Sequence, residues 1–321
     1  MIKILANDGL QTDGMTLLHE AGYEVDTERV TQERLPEVLP DYDVVIVRSA
    51  TKIRKDLIDK CPKLKIIARA GVGLDNIDAA YAREKGITVM NTPAASSKSV
   101  AELVFAHMFS LCRFLQQAHR DMPATGNTAF KALKKRYSEG IQLHNRTLGI
   151  VGFGRIGQEV ARIGVGLGMK VMPVDLVVDQ ADIGIDVYNS GNVRLSVHLD
   201  TYDWEEVLAN SDFLTIHVPF EGGKPIIGEE EIEKMKDGAV LINTARGGAI
   251  GEEALLNALN SGKLRGAALD VYEDEPSPRQ ELLEHPLVSC SPHIGAATQE
   301  AQANIGLALA DRIIAFYGDD K

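Results

Sequence analysis

A chain of 321 residues is longer than one ordinary domain needs and suits two, and its 45% hydrophobic and 25% charged content is that of a globular protein. The formal net charge of −12 excludes a nucleic-acid binder, which needs clustered Lys and Arg against phosphate. Cys61, Cys112 and Cys290 stand far apart without CxxC spacing, so neither a disulfide framework nor a metal site is expected, and a reducing, cytoplasmic setting fits.

The N-terminus is apolar for too few residues to be a signal-peptide core, and a first strand is predicted over Ile2–Leu5. Further buried strands are predicted at Val44–Val47, Ile66–Ala68 and Thr88–Met90, with amphipathic helices at Gln11–Ala21, Lys55–Cys61 and Ile77–Lys85. Pro93 and the serines in Asn91–Ser97 break this series, and a serine there can cap a long helix from near Ser99 to about Arg120. That length suits a helix crossing between domains or packing on another subunit, with an ordinary buried core helix as the alternative. Its apolar run, Val100–Leu115, is interrupted by Glu102, His107 and Arg113, and no stretch reaches the roughly 18 apolar residues of a membrane helix.

A second series of strands follows at Leu148–Val151, Lys170–Val174, Phe213–Ile216, Val240–Asn243, Ala267–Val271 and Val288–Cys290. Its helices are predicted near Ile156–Leu167, Trp204–Asn210, Glu229–Met235 and Glu252–Asn260, and Leu176–Thr201 reads as a connection with possible strands. A last helix, Glu300–Tyr317, has the option of returning to the first domain. Alternating strands and helices imply α/β architecture with parallel sheets covered on both faces.

Thr147–Val151 runs directly into Gly152-Phe153-Gly154-Arg155-Ile156-Gly157 and then a helix, which is the context a GxGxxG motif requires. Gly152 permits the tight turn, Gly154 lets the backbone approach a pyrophosphate, and Gly157 lets helix and strand pack closely. The helix N-terminus adds N–H groups and a positive dipole for the anion. Asp175, after the next strand, suits the adenosine ribose hydroxyls and repels a 2′-phosphate, favouring NAD over NADP.

Three later strand ends carry residues that hydride chemistry needs. Arg246, in Asn243–Gly248, has the planar cation to grip a carboxylate bidentately. Glu273, Asp274 and Glu275 crowd one loop, and His293 follows the last strand; a histidine accepts the proton when a hydroxyl becomes a ketone, and a carboxylate on its other nitrogen fixes the tautomer. Chemistry alone does not choose among the three carboxylates, and it leaves His217 and His285 as rival bases.

These residues resemble the D-isomer-specific 2-hydroxyacid dehydrogenases along essentially the whole chain, through Thr147–Asp175, Asp212–Ile232 and Met235–Leu255. The resemblance implies that Arg246 binds substrate, that His293 is the acid/base, and that Glu275, directly before Pro276, is its partner. It implies cofactor contacts at Arg155, Ile156, Asp175, Thr244, Ala245, Asp270 and Gly295. His217-Val218-Pro219 stands where a His-Thr-Pro is common, leaving backbone contact alone. It also implies two doubly wound parallel-sheet domains with the active site in their cleft. A flavodoxin-like substrate domain would comprise residues 1–97 and 294–321, and a Rossmann coenzyme domain residues 98–293, with homodimers formed through the latter.

Val45–Lys52 and Ala68–Asn76 are most similar to the branch of this family that oxidises 3-phospho-D-glycerate to 3-phosphohydroxypyruvate, the first step of serine biosynthesis. There the arginines matching Arg48 and Arg69 lie near the phosphate, and Gly71-Val72-Gly73 offers N–H groups to the carboxylate. The basic run Lys131–Arg136 is either a further cation near the site or a solvated loop. With Lys321 last, no C-terminal serine-sensing domain is expected. The alternatives are a hydroxypyruvate or glyoxylate reductase, and an NAD-sensing corepressor-like scaffold.

Overall fold

The computed structural model describes residues 1–187 and 193–318, which form two compact units: residues 1–97 with 296–318, and residues 98–187 with 193–295. Each is an α/β domain on a parallel sheet.

In the first unit, β1 (Lys3–Ala6), β2 (Glu24–Asp26), β3 (Val44–Val47), β4 (Ile66–Arg69) and β5 (Thr88–Asn91) pair in the order β2-β1-β3-β4-β5. The unbroken apolar runs of β3 and β4 reflect burial on both faces. Leu5, Val45, Val47 and Ile67 pack to one side, and Ile4, Val44, Ile46 and Ile66 to the other. The connecting helices are α1 (Thr12–Glu20), α2 (Leu35–Val38), α3 (Lys55–Ile58) and α4 (Ala79–Glu84). α3 is shorter than the predicted Lys55–Cys61, because Pro62 cannot continue a helix and disfavours helical backbone before it. β2 gave no sequence signal: only Val25 in it is apolar, and it lies at the sheet edge. The C-terminal helix α12 (Gln299–Gly318) lays Ile305, Leu309 and Ile313, spaced by four, onto the first sheet. It meets α1 where two glycines face each other; a Cβ on Gly14 would lie 2.6 Å from the Gly306 carbonyl carbon.

In the second unit the sheet order is β13-β12-β11-β10-β6-β7, from β6 (Thr147–Val151), β7 (Lys170–Val174), β10 (Phe213–Ile216), β11 (Ala239–Asn243), β12 (Leu264–Leu269) and β13 (Val288–Cys290). The helices that follow strands are α7 (Arg155–Gly166), α8 (Trp204–Asn210), α9 (Glu229–Lys234), α10 (Glu252–Ser261) and α11 (Gln280–Glu284). The stretch Leu176–Thr201 contains an antiparallel hairpin outside the main sheet, β8 (Gln180–Val187) with β9 (Val193–Asp200). Ile183 is buried, and Ala181 and Leu199 join the core cluster that includes Val160 and Ala161 of α7.

The long helix expected from Ser99 to Arg120 is divided into α5 (Ser97–Cys112) and α6 (Leu115–Arg136), the latter kinked at Ala129. Phe114 is left-handed (φ 53°), the Cys112 carbonyl accepts from Ile141 N–H at 3.0 Å, and the Phe114 ring packs 5.9 Å from Tyr137. The returning chain therefore caps α5, an instruction that local periodicity does not carry. Lys131–Arg136 is no loop; it forms the largely exposed end of α6, where cations suit the helix dipole.

Gly14→Ala is expected to lower the unfolding free energy by about 1–3 kcal/mol through overpacking against Gly306, measured by urea denaturation.

Candidate active site

The parallel register of the second unit sets its candidate residues on one line. Val174, Val151, Ile216, Asn243, Leu269 and Cys290 are aligned neighbours across β7, β6, β10, β11, β12 and β13. Gly152, Asp175, His217, Thr244 and Asp270 are each the next residue, at the carboxyl edge where open α/β sheets bind ligands. From β6 the chain winds outward to β7, then returns to β10 on the other side, so Gly152 sits at the switch point.

The three motif glycines have different physical reasons. Gly152 has φ +96°, and a Cβ there would lie 2.7 Å from Val218 Cγ1. A Cβ on Gly157 would overlap the Gly152 carbonyl. Gly154, the N-cap of α7, has ordinary φ (−75°) and nothing within 4 Å of a Cβ, so neither backbone strain nor protein packing demands glycine. An anion resting on the first turn of α7, beside Arg155 and Ile156, would.

Asp175 stabilises the same turn by accepting from Phe153 N–H at 2.6 Å, and from Val177 and Val178 N–H at 2.8 and 3.0 Å. Burial opposes its ionisation, but these backbone donors prevail and hold the carboxyl below its ordinary value. After β10, the His217 Nε2 lies 3.0 Å from Thr215 Oγ1, and burial pushes the imidazole down to about 3. His217 Nδ1 and Thr244 Oγ1 are enclosed without a hydrogen-bond partner among the described residues. Such orphaned polar atoms at the mouth of a glycine turn fit a polar cofactor that completes them.

Arg246 rises from a turn organised by the buried Asn243, whose Oδ1 accepts from Ala245 N–H (3.0 Å) and whose Nδ2 donates to the Arg246 carbonyl (2.8 Å). Gly247 lies directly against the Tyr272 carbonyl, which a Cβ would overlap, so the Arg246 turn and the Tyr272–Glu275 loop touch backbone to backbone. Two of the three carboxylates of that loop, Glu273 and Glu275, are separated by their partners. Glu273 Oε1 accepts from Glu252 N–H at 3.1 Å, and Glu252 Oε1 accepts from Glu273 N–H at 2.9 Å. Glu275 Oε1 accepts from Tyr272 N–H at 3.1 Å, and its Oε2 lies 2.8 Å from His293 Nδ1.

His293 has φ 54°, a conformation a bulky residue rarely adopts and that functional sites often impose. Asp270 imposes it. Its carbonyl accepts from His293 N–H at 2.8 Å, and its carboxylate accepts from Ile294 and Gly295 N–H, both at 2.8 Å. His285 is engaged elsewhere: its Nδ1 accepts from Leu287 N–H at 3.2 Å, and burial lowers its pKa.

In the first unit, Arg48 follows β3 and Arg69 ends β4, with Val47 and Arg69 in register. Asp8 accepts from Arg48 N–H at 2.7 Å, and Asn76 Nδ2 donates to the Arg48 carbonyl at 2.7 Å. The Arg69 guanidinium lies over Gly71, at the start of the Gly71-Val72-Gly73 loop. A cavity of about 150 Å³ beside Arg48 is lined also by Asp8, Gln11, Ala70 and Gln302. It sits at the β1/β3 switch point. Gln11 and Gln302 carried no sequence signal, and neither did the partners of His107, described below.

Residues 105–295 match the family described as "D-isomer specific 2-hydroxyacid dehydrogenase, NAD binding domain". The chain belongs to the D-isomer specific 2-hydroxyacid dehydrogenases. The matched domain is an NAD-binding one. A hydroxypyruvate reductase of Thermotoga maritima is 42% identical over 98% of both chains. A D-3-phosphoglycerate dehydrogenase of Methanocaldococcus jannaschii is also 42% identical over 98% of this chain, which spans only 57% of that relative. Among solved structures, the TT0316 protein of Thermus thermophilus aligns with TM-score 0.84 and 28% identity over 99% of this chain and 97% of its own.

Gly154→Ala is expected to leave stability within about 0.5 kcal/mol while weakening NAD binding. Gly247→Ala, with no room for its methyl, is expected to cost about 1–3 kcal/mol and to lose turnover. Urea unfolding and NAD titration calorimetry separate the two.

Proposed function

We propose that this NAD-dependent 2-hydroxyacid dehydrogenase oxidises 3-phospho-D-glycerate to 3-phosphohydroxypyruvate, the first step of serine synthesis. The observation that carries the chemistry is the 2.8 Å contact between His293 Nδ1 and Glu275. A carboxylate only accepts, so Nδ1 carries hydrogen and Nε2 is left with the lone pair that takes the hydroxyl proton. When bound, NAD supplies the two-electron acceptor for the hydride leaving the carbinol carbon. Arg246 holds the substrate carboxylate and polarises the oxygen that becomes the ketone. Glu275 stabilises the imidazolium formed at His293. Asp175, ionised and aimed from the end of β7, favours the ribose diol of NAD over a 2′-phosphate.

Arg48 and Arg69 support a phosphorylated substrate. They end neighbouring strands, and Arg69 lies against a loop able to offer backbone N–H groups to an anion. Resemblance to several D-3-phosphoglycerate dehydrogenases at 37–42% identity supports the same reading. The end-to-end similarity to a hydroxypyruvate reductase favours a second reading, in which the same site reduces an unphosphorylated 2-keto acid. A homodimer through the second unit accompanies either reading, supported by the exposed Phe109, Leu115, Met122 and Phe130 of α5 and α6. The free thiols Cys61, Cys112 and Cys290 support a reducing, cytoplasmic setting.

His293→Asn and Arg246→Ala are each expected to lose at least about 100-fold in kcat with NAD affinity kept; near-normal turnover in either removes that residue from the reaction. A panel of 3-phospho-D-glycerate, D-glycerate and D-lactate, read by NADH formation, tests the substrate. Preference for the phosphorylated acid, lost in Arg48→Ala and Arg69→Ala, is expected. Preference for D-glycerate with both variants unimpaired selects the reductase reading.

A further inference from the structure

Resting on the acid/base reading of His293, a second histidine acquires a role. His107 lies on α5 among Val104, Phe105 and Met108, and is 5% exposed. A core histidine there needs only to be satisfied, yet both its ring nitrogens are directed to one place. Nδ1 is 2.8 Å from Ser289 Oγ, and Nε2 is 2.9 Å from Ser291 Oγ. Ser291 Oγ in turn lies 2.6 Å from Asp270 Oδ1.

The donors can be assigned. An ionised Asp270 only accepts, so the single hydroxyl proton of Ser291 goes to it. Ser291 must then accept from His107 Nε2–H, and Nδ1 must accept from the Ser289 hydroxyl. One neutral tautomer satisfies the whole chain, and burial of the imidazole, opposed by the Asp270 charge, favours that neutral form. Asp270 passes the constraint on, because it holds the N–H groups of His293, Ile294 and Gly295. Ser99 Oγ closes the turn from the same helix, donating to the Gly295 carbonyl at 2.6 Å.

We propose that His107 is a positioning residue for His293: by fixing the Ser291 hydroxyl, it orients the Asp270 carboxylate that holds the His293–Gly295 turn. Without the imidazole, the buried Ser291 hydroxyl is free to rotate away and leave that carboxylate one donor short. The left-handed backbone of His293 then loses part of what enforces it.

Steady-state kinetics on His107→Leu, His107→Gln and Ser291→Ala test this, using a hydroxy acid that the unaltered enzyme oxidises. Leu at 107 and Ala at 291 are expected to lower kcat by about 10- to 100-fold, with KM for the hydroxy acid unchanged. His107→Gln, whose amide can donate to Ser291 and accept from Ser289, is expected to recover most of the rate. Full turnover in the Leu and Ala variants overturns the proposal, as does a loss confined to KM, or a Gln variant no better than Leu. Should His107→Leu not fold, Ser291→Ala against Ser291→Thr, which keeps the hydroxyl, decides alone. His293→Asn run alongside separates the two readings. If it stays active, the acid/base reading fails and this one with it. If it is inactive while His107→Leu is not, only the positioning role fails.

Discussion

Asp270 is 1% exposed, and an ionised group in that position is tolerable only if its oxygens are fully engaged. The Ser291 hydroxyl and the N–H groups of Ile294 and Gly295 engage them. A hydrogen bond to a charged group contributes about 1.5–3 kcal/mol, whereas left-handed backbone at a non-glycine residue costs about 1–3 kcal/mol. Three such bonds outweigh one strained residue, so His293 stays at φ 54°. The Asp270 N–H also donates to the Asn243 carbonyl at 3.0 Å, one turn before Arg246. The candidate acid/base and the candidate substrate arginine are therefore referenced to the same buried residue.

The sheet supplies the rest of the alignment. Parallel register brings Val151, Val174, Ile216, Asn243, Leu269 and Cys290 to one level, so every loop that leaves them starts at the same edge. Close approach between those loops is then a matter of removing side chains. Gly157 makes room for the Gly152 carbonyl, and Gly247 for that of Tyr272. Gly154 clears space that no described residue fills, and His217 Nδ1 and Thr244 Oγ1 are polar atoms that no described residue completes. Internal packing explains the first pair of glycines; a cofactor of the kind the family binds explains the third.

Most of the strands and the helices facing them were legible in the sequence, because a run such as Val44–Val47 has few other uses than a strand buried on both faces. The GxGxxG turn was legible for the same kind of reason: its neighbours in space are its neighbours in the chain. Arg246, Glu275 and His293 were readable as candidates, but their chemistry left Glu273 and Asp274 open beside Glu275 until family resemblance chose. The geometry distinguishes the two glutamates physically, since Glu273 is occupied with α10 and Glu275 contacts His293.

Other features depended on residues far away in sequence. The break between α5 and α6 comes from Ile141 capping Cys112 and from Tyr137 receiving Phe114. The hairpin β8–β9 was legible only as a connection with possible strands, because alternating polar residues hide its few buried ones, of which Ile183 is the deepest. His107 read only as an interruption of an apolar run, and its meaning comes from two serines 182 and 184 residues later. The sequence by itself determined the alternation of strands and helices, the nucleotide turn and the chemical types available at the strand ends, because hydrophobic period and glycine placement are local. Tertiary structure alone decided which side chains meet and how His293 is held, because hydrogen-bond partners across a parallel sheet are set by register and not by spacing along the chain.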